Sequence, residues 1–250
     1  MIKQNGLVIE NNVLVRVDIN LSGHLEIPDS VNAIGRSAFS GYRSMTSITI
    51  PNSVTAIGPA AFGNCKGLTS IIIPNSVTAI GSWAFCGCTG LKSITIPNSE
   101  TTIDMCAFRE CTSLTSITIP HSVKTIGMYA FCECKGLTSI TIPYSVKTIG
   151  KGAFCECTGL TSITIRNSVK TIDKWAFRGC TSLRHIILSD NLKEIDDDVF
   201  RGCRNLNDIR YRGMTYSNIE DVRARMYTEQ QQASSVKQNI LSRSKKNNSR

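Results

Sequence analysis

The chain is short of nearly everything from which catalysis is built. It has three histidines in 250 residues, His24, His121 and His185, and none stands in a Ser/His/Asp order or at metal-ligand spacing. No glycine-rich phosphate loop occurs, and the acidic pairs are isolated. Enzyme activity is therefore not expected, and no catalytic residue, cofactor or metal is assigned. No run of 18 or more apolar residues exists, so no segment reads as a membrane-spanning helix, and no membrane insertion is expected. Residues Met1 to Gly6 lead into a polar-interrupted strand pattern and not into an apolar stretch with a small-residue cleavage site. With no secretory signal and no lipidation box read, the expected location is cytoplasmic, with cell surface or secreted as the alternative. Only 6% of the residues are aromatic, too few exposed rings for a base-stacking platform, and no nucleic acid is expected as partner. The formal net charge is +9. Much of it lies in residues 228–250, where Lys237, Arg243, Lys245, Lys246 and Arg250 face only Glu229, so the rest is too dilutely basic to argue for a polyanion.

What the chain does have is a period. Its eight phenylalanines, Phe39, Phe62, Phe85, Phe108, Phe131, Phe154, Phe177 and Phe200, each fall 23 residues apart. A spacing that strict marks one supersecondary unit copied end to end, a stack whose neighbours share a core. Residues 28–211 divide into eight such modules. In 120–142 the run Thr138-Ser139-Ile140-Thr141-Ile142 alternates polar and apolar, is rich in β-branched residues and stops at Pro143, the pattern of a strand with one buried face. Val146 to Ile149 reads as a second short extended piece, and Met128 to Cys134 is long enough only for a single helical turn. The expected fold is a β-rich repeat solenoid. Its apolar columns form ladders: the phenylalanines, Leu68 to Leu206, Ile48 to Ile209, and Ile57 to Ile195.

The pattern Leu-x-x-Ile-x-Ile-Pro, then Val-x-x-Ile-Gly-x-x-Ala-Phe-x-x-Cys, resembles the BspA-type leucine-rich repeat family in eight copies over 28–211. The resemblance implies a curved right-handed solenoid with one main parallel sheet. It also implies a family of cell-surface adhesins that bind other proteins, host matrix proteins among them. Departures cluster toward the ends. Tyr42 stands in the cysteine column, Arg166 and Ser189 in the proline column, and Asp104, Asp173 and Asp196 at the turn glycine. Glu100 falls in a column of Val and Leu, where a buried unpaired carboxylate is expensive, so it is expected to tilt outward or to be protonated.

The ends need caps, because terminal ladders would otherwise stick to other chains. Residues 1–27 read as an N-terminal capping hairpin turning at Asn11-Asn12. Residues 212–227 read as a C-terminal cap with a short helix, capped by Ser217 with Glu220 three residues on. Residues 228–250 are Gln-, Ser-, Asn- and Lys-rich and read as a disordered basic tail. Seven of the eleven cysteines share the column Cys65 to Cys203. They read as small buried hydrophobes whose S–H groups reach backbone carbonyls, with disulfides and metal binding as the lesser alternatives.

Two surfaces stand out as partner-binding candidates. The outward strand positions repeat as Ser then Thr: Ser93 and Thr95, Ser116 and Thr118, Ser139 and Thr141, Ser162 and Thr164. Eight rungs at ~4.8 Å would make a hydroxyl-lined face roughly 35 Å long, either a docking face or merely a solvent-tolerant one. The second is a column of Lys124, Lys147, Lys170 and Lys193, following Thr55, Thr78 and Thr101; it is either a protein-binding stripe or a solvated edge. The expected function is a monomeric, non-enzymatic protein-protein interaction scaffold using the Ser/Thr face, or alternatively a cell-surface adhesin for host or matrix proteins.

Overall fold

A computed structural model describes residues 2–4, 6–18 and 21–247. The chain coils into a β-solenoid in which each 23-residue module lays one rung on the next. Strand Ser93–Thr95 pairs in parallel with Ser70–Ile72, and Ser162–Thr164 with His185–Ile187, each residue opposite its own copy one module away. Between these stretches the ladder narrows to single parallel bridges, Thr95 to Thr118, Thr118 to Thr141 and Thr141 to Thr164. A second ladder of two-residue strands runs alongside, for instance Thr125–Ile126 with Thr148–Ile149. Most strand ends turn through a Pro-x-Ser-Val unit in which the proline carbonyl accepts the N–H three residues on, as from Val123 to Pro120 (3.1 Å), and Arg166 and Ser189 take the proline's place in the last two.

The segments expected as single helical turns are successions of three hydrogen-bonded turns. In Gly127–Cys134 the N–H groups of Ala130, Cys132 and Cys134 donate to carbonyls three residues back, and Tyr129 and Glu133 take φ of 54° and 61°. The two left-handed residues break any helix. They also turn the intervening N–H groups toward the next rung: Phe131 N–H donates to Ala153 O (2.8 Å) and Glu133 N–H to Cys155 O (2.7 Å). The turn side is thus hydrogen-bonded from rung to rung as well, which satisfies backbone groups that a tight turn would bury unpaired.

The core is a set of stacks. The phenylalanine rings lie 4.9–5.5 Å apart with interplanar angles of 2–12°, buried along the whole column. Each column cysteine donates its thiol to the carbonyl of the phenylalanine 26 residues earlier, from Cys65 to Phe39 (3.0 Å) through Cys203 to Phe177 (3.0 Å). Burial pushes the Cys134 thiol up to about 12, so it stays protonated and keeps that bond.

At the N-terminal end, β1 (Ile2–Gln4), β2 (Leu7–Glu10) and β3 (Val13–Val17) form an antiparallel meander whose last strand joins the second ladder. Asn11 and Asn12 both have positive φ, 50° and 63°, as a two-residue hairpin turn requires. At the other end α1 runs from Ile219 to Asn247, and Ile219, Val222 and Met226 are buried against the last rung. Three expectations change here. The helix is 29 residues long and not short, and it covers most of the stretch read as a disordered tail. Its cap is Asn218 rather than Ser217: Asn218 Oδ1 accepts the Asp221 N–H (2.9 Å), and Asn218 Nδ2 donates to the Asp221 carboxylate (2.9 Å).

Glu100 does not tilt outward. It is 5% exposed, and its carboxylate accepts the N–H groups of Ile80 (2.8 Å), Thr101 (3.1 Å) and Thr102 (3.2 Å). The second ladder stops there: Ala79–Ile80 ends one sheet and Thr102–Ile103 begins another. Three main-chain donors make the buried site tenable, which sequence spacing did not reveal.

Candidate functional site

The solenoid brings the eight predicted Ser and Thr residues together in two parallel files. Ser93, Thr95, Ser116, Thr118, Ser139, Thr141 and Ser162 are exposed and Thr164 is half-buried, while Ile94, Ile117, Ile140 and Ile163 between them point into the core. The alternation of a strand with one buried face puts every second hydroxyl outward.

The two ends of this face carry charge, which the repeat pattern did not single out. His24 sits beside Ser47 (Nδ1 to Oγ, 2.8 Å) and Thr49 (Nε2 to Oγ1, 3.2 Å). At the far end His185 Nδ1 lies 2.6 Å from Asp208 Oδ2, and Arg210 donates to Asp208 Oδ1 (3.4 Å). Desolvation acts to raise the Asp208 carboxyl, but the His185 hydrogen bond and the charges of His185 and Arg210 outweigh it and hold the group below its usual range. Ile72 interrupts the hydroxyl file with a side chain 75% exposed. Past the strand ends, Tyr144 is exposed under the Arg166 guanidinium (4.9 Å), beside a hollow of about 410 Å³ that also meets Thr164, Ile187 and Arg210. The signal for each was a departure from its column.

Lys124, Lys147, Lys170 and Lys193 form one exposed column just before the second-ladder strands, on a different surface from the hydroxyl files. Among the described residues none of the four has a carboxylate oxygen within 4.0 Å. A separate basic cluster surrounds Trp175, with Lys151 Nζ 4.6 Å, Lys174 Nζ 5.5 Å and Arg178 Cζ 5.7 Å from the ring. No group of three or more His, Cys, Asp or Glu able to hold a metal occurs among the described residues. No described helix is long and apolar enough to cross a membrane.

The profile of BspA-type leucine-rich repeat regions matches residues 18–136 and 101–232. The chain belongs to this family. Solved structures agree. A leucine-rich cell-surface protein of Faecalibacterium prausnitzii is 30% identical (TM-score 0.54) over 77% of this chain and 60% of its own. Leucine-rich repeat proteins of Eubacterium ventriosum (30%, TM-score 0.64; 70% of this chain, 50% of its own) and Bacteroides ovatus (28%, TM-score 0.58; 84% and 68%) are similar. The chain thus spans 60% and 50% of the first two proteins' lengths. No curated protein matches the sequence. BspA-type repeats are typically scaffolds and not enzymes.

Proposed function

We propose that this chain is a monomeric, non-enzymatic scaffold that docks a protein partner on the face lined by Ser93, Thr95, Ser116, Thr118, Ser139, Thr141, Ser162 and Thr164. The lysine column is a second contact surface. The observation that carries the reading is the exposure of regularly spaced hydroxyls on a backbone hydrogen-bonded on both sides. Such a face presents donors and acceptors that lose little freedom on binding. The test is quantitative capture of partners from the native cell by wild type and by a variant with Ser93, Thr95, Ser116 and Thr118 changed to Glu, after equal melting temperatures have been verified. Partners held by wild type and lost by the variant support the face; retention of every partner refutes it.

A cell-surface adhesin is the second reading, favoured over a cytoplasmic location by the likeness to the Faecalibacterium prausnitzii cell-surface protein. Protease shaving of intact native cells tests it. Release of fragments of this chain supports a surface location, and complete protection argues for the interior.

A further inference from the structure

We infer that Lys124, Lys147, Lys170 and Lys193 form a docking track for an extended acidic segment of a protein partner. The inference rests on the reading of the chain as a binding scaffold, but not on the Ser/Thr face. The backbone under the column is fixed: Lys124 N–H donates to Thr101 O (2.8 Å), Lys147 to Lys124 O (2.8 Å) and Lys170 to Lys147 O (2.9 Å). Lys124, Lys147 and Lys170 therefore sit about one rung apart, ~4.8 Å, well inside the screening length of ~8 Å at physiological salt, and Lys193 follows in the same column past the last paired rung. Neighbouring ammonium groups feel one another, and among the described residues none of the four has a carboxylate oxygen within 4.0 Å.

The same column in the first half of the solenoid makes the contrast. There Thr55 Oγ1 donates to Asn32 O (3.2 Å) and Thr78 Oγ1 to Thr55 O (3.4 Å), so those rungs are neutral and satisfied within the stack. Exchanging Thr for Lys replaces that closed arrangement with a file of like charges, which meets acidic side chains only at its Lys170 and Lys193 end. A file of carboxylates relieves the repulsion and gains charge-assisted hydrogen bonds. The far end of the track is set by acids. Asp173, Glu194 and Asp196 line a hollow of about 380 Å³ with Lys170, Lys174 and Lys193, and Lys174 is already held by Asp198 (3.1 Å). Four cations in single file match a peptide, whose side chains can present carboxylates along one edge. A sulfated polysaccharide carries anions on both sides of its chain and needs a broader patch.

The test is fluorescence anisotropy of labelled octaglutamate and octaglutamine with the full chain at 50 and 200 mM NaCl. Octaglutamate is expected to bind, more weakly at the higher salt, and octaglutamine not to bind. K124Q/K147Q/K170Q is expected to lose at least tenfold in affinity. K66Q/K92Q/K135Q, with the same charge removed from exposed lysines off the column, is expected to lose less than twofold; melting temperatures check that both variants fold. Equal losses in the two variants would reduce the effect to net charge and overturn the track. So would absence of octaglutamate binding, or a heparin octasaccharide binding where octaglutamate does not. The variant carrying four Glu on the hydroxyl face is expected to keep the lysine-column dependence, so failure of that face is distinguishable from failure of the track.

Discussion

Changing Glu100 to Val is expected to stabilise the protein. Every other module has Val or Leu in this column, Val31, Val54, Val77, Val123, Val146, Val169 and Leu192, all buried. At neighbouring junctions the backbone closes on itself, as with Gly81 N–H to Ile57 O (2.9 Å), Gly127 N–H to Ile103 O (2.7 Å) and Lys124 N–H to Thr101 O (2.8 Å). At the Glu100 junction the carboxylate takes the Ile80, Thr101 and Thr102 donors instead, and the strands on either side do not pair. Valine removes a charge from a site 5% exposed, restores a packed apolar column and lets the ladder close. Replacing buried ionic groups by well-packed apolar ones gains ~1–4 kcal/mol in other proteins. That figure is already net of the lost interactions of the charge, and with the freed N–H groups re-pairing in the closed ladder about 1–3 kcal/mol is expected at neutral pH. For a chain of this size that is a rise in melting temperature of about 3–9 °C.

The gain has a pH signature. Burial, foremost, raises the Glu100 pKa; the three N–H groups oppose it and Asp104 adds to it. The folded chain then holds the proton more tightly than the unfolded chain, where a glutamate titrates near ~4.3. The wild-type contribution is therefore fully present below that unfolded value and is lost as pH rises through the raised folded value. The advantage of Glu100→Val is expected to be smallest near pH 4 and to grow as pH rises through the raised folded value. Urea melts of both proteins at several pH values read it directly. A variant less stable than wild type at pH 7 would refute the reasoning, since the three main-chain bonds would then outweigh desolvation. An advantage independent of pH would refute the assignment to a charged carboxylate.

Two further outcomes follow from the stacked core. Phe131→Ala, at a fully buried ring 5.4 Å from each stacked neighbour, is expected to cost ~3–5 kcal/mol in urea melts; a loss under ~1 kcal/mol would mean the column is not core. Cys111, Cys134 and Cys157 are expected to resist a thiol reagent at pH 8 in native protein, because burial holds them protonated, and all eleven cysteines to react once the unreduced protein is denatured; fewer than about nine would reveal disulfides.

The inward half of each module was legible because its neighbours are its own copies. A phenylalanine every 23 residues has another phenylalanine above and below it, so the ladders could be written down before any coordinate. The hairpin was legible for a local reason, since Asn11-Asn12 tolerates the positive φ that the turn imposes. Where the neighbours are not copies, reading failed. The environment of Glu100 depends on whether a side chain can replace a ladder bond between rungs, which spacing does not contain. Helix α1 outruns its expected end because 219–247 holds no Gly or Pro to interrupt it, and a polar composition alone does not separate a solvent-exposed helix from a disordered segment. The turn segments differ from a single helical turn because Tyr129 and Glu133, residues that do not advertise a left-handed backbone, adopt one.

The same logic bears on where partner specificity resides. An inward change is penalised by two stacked neighbours, so the inward columns must stay uniform. An outward side chain has water on one side and is free to differ from module to module. The uniform Ser and Thr files therefore give a general hydrogen-bonding surface, with little to tell one position along the face from the next. For the docking proposed on this face, discrimination would come from the outward residues that break the repeat: Ile72 within the files, His24 at one end, and His185, Asp208, Arg210, Arg166 and Tyr144 at the other. Exposed aromatic and arginine side chains are also the types that carry most of the energy in protein interfaces. A partner that used only the hydroxyls could slide by one rung of ~4.8 Å at small cost, whereas one that engaged Tyr144 and Arg166 together would be held in a single register.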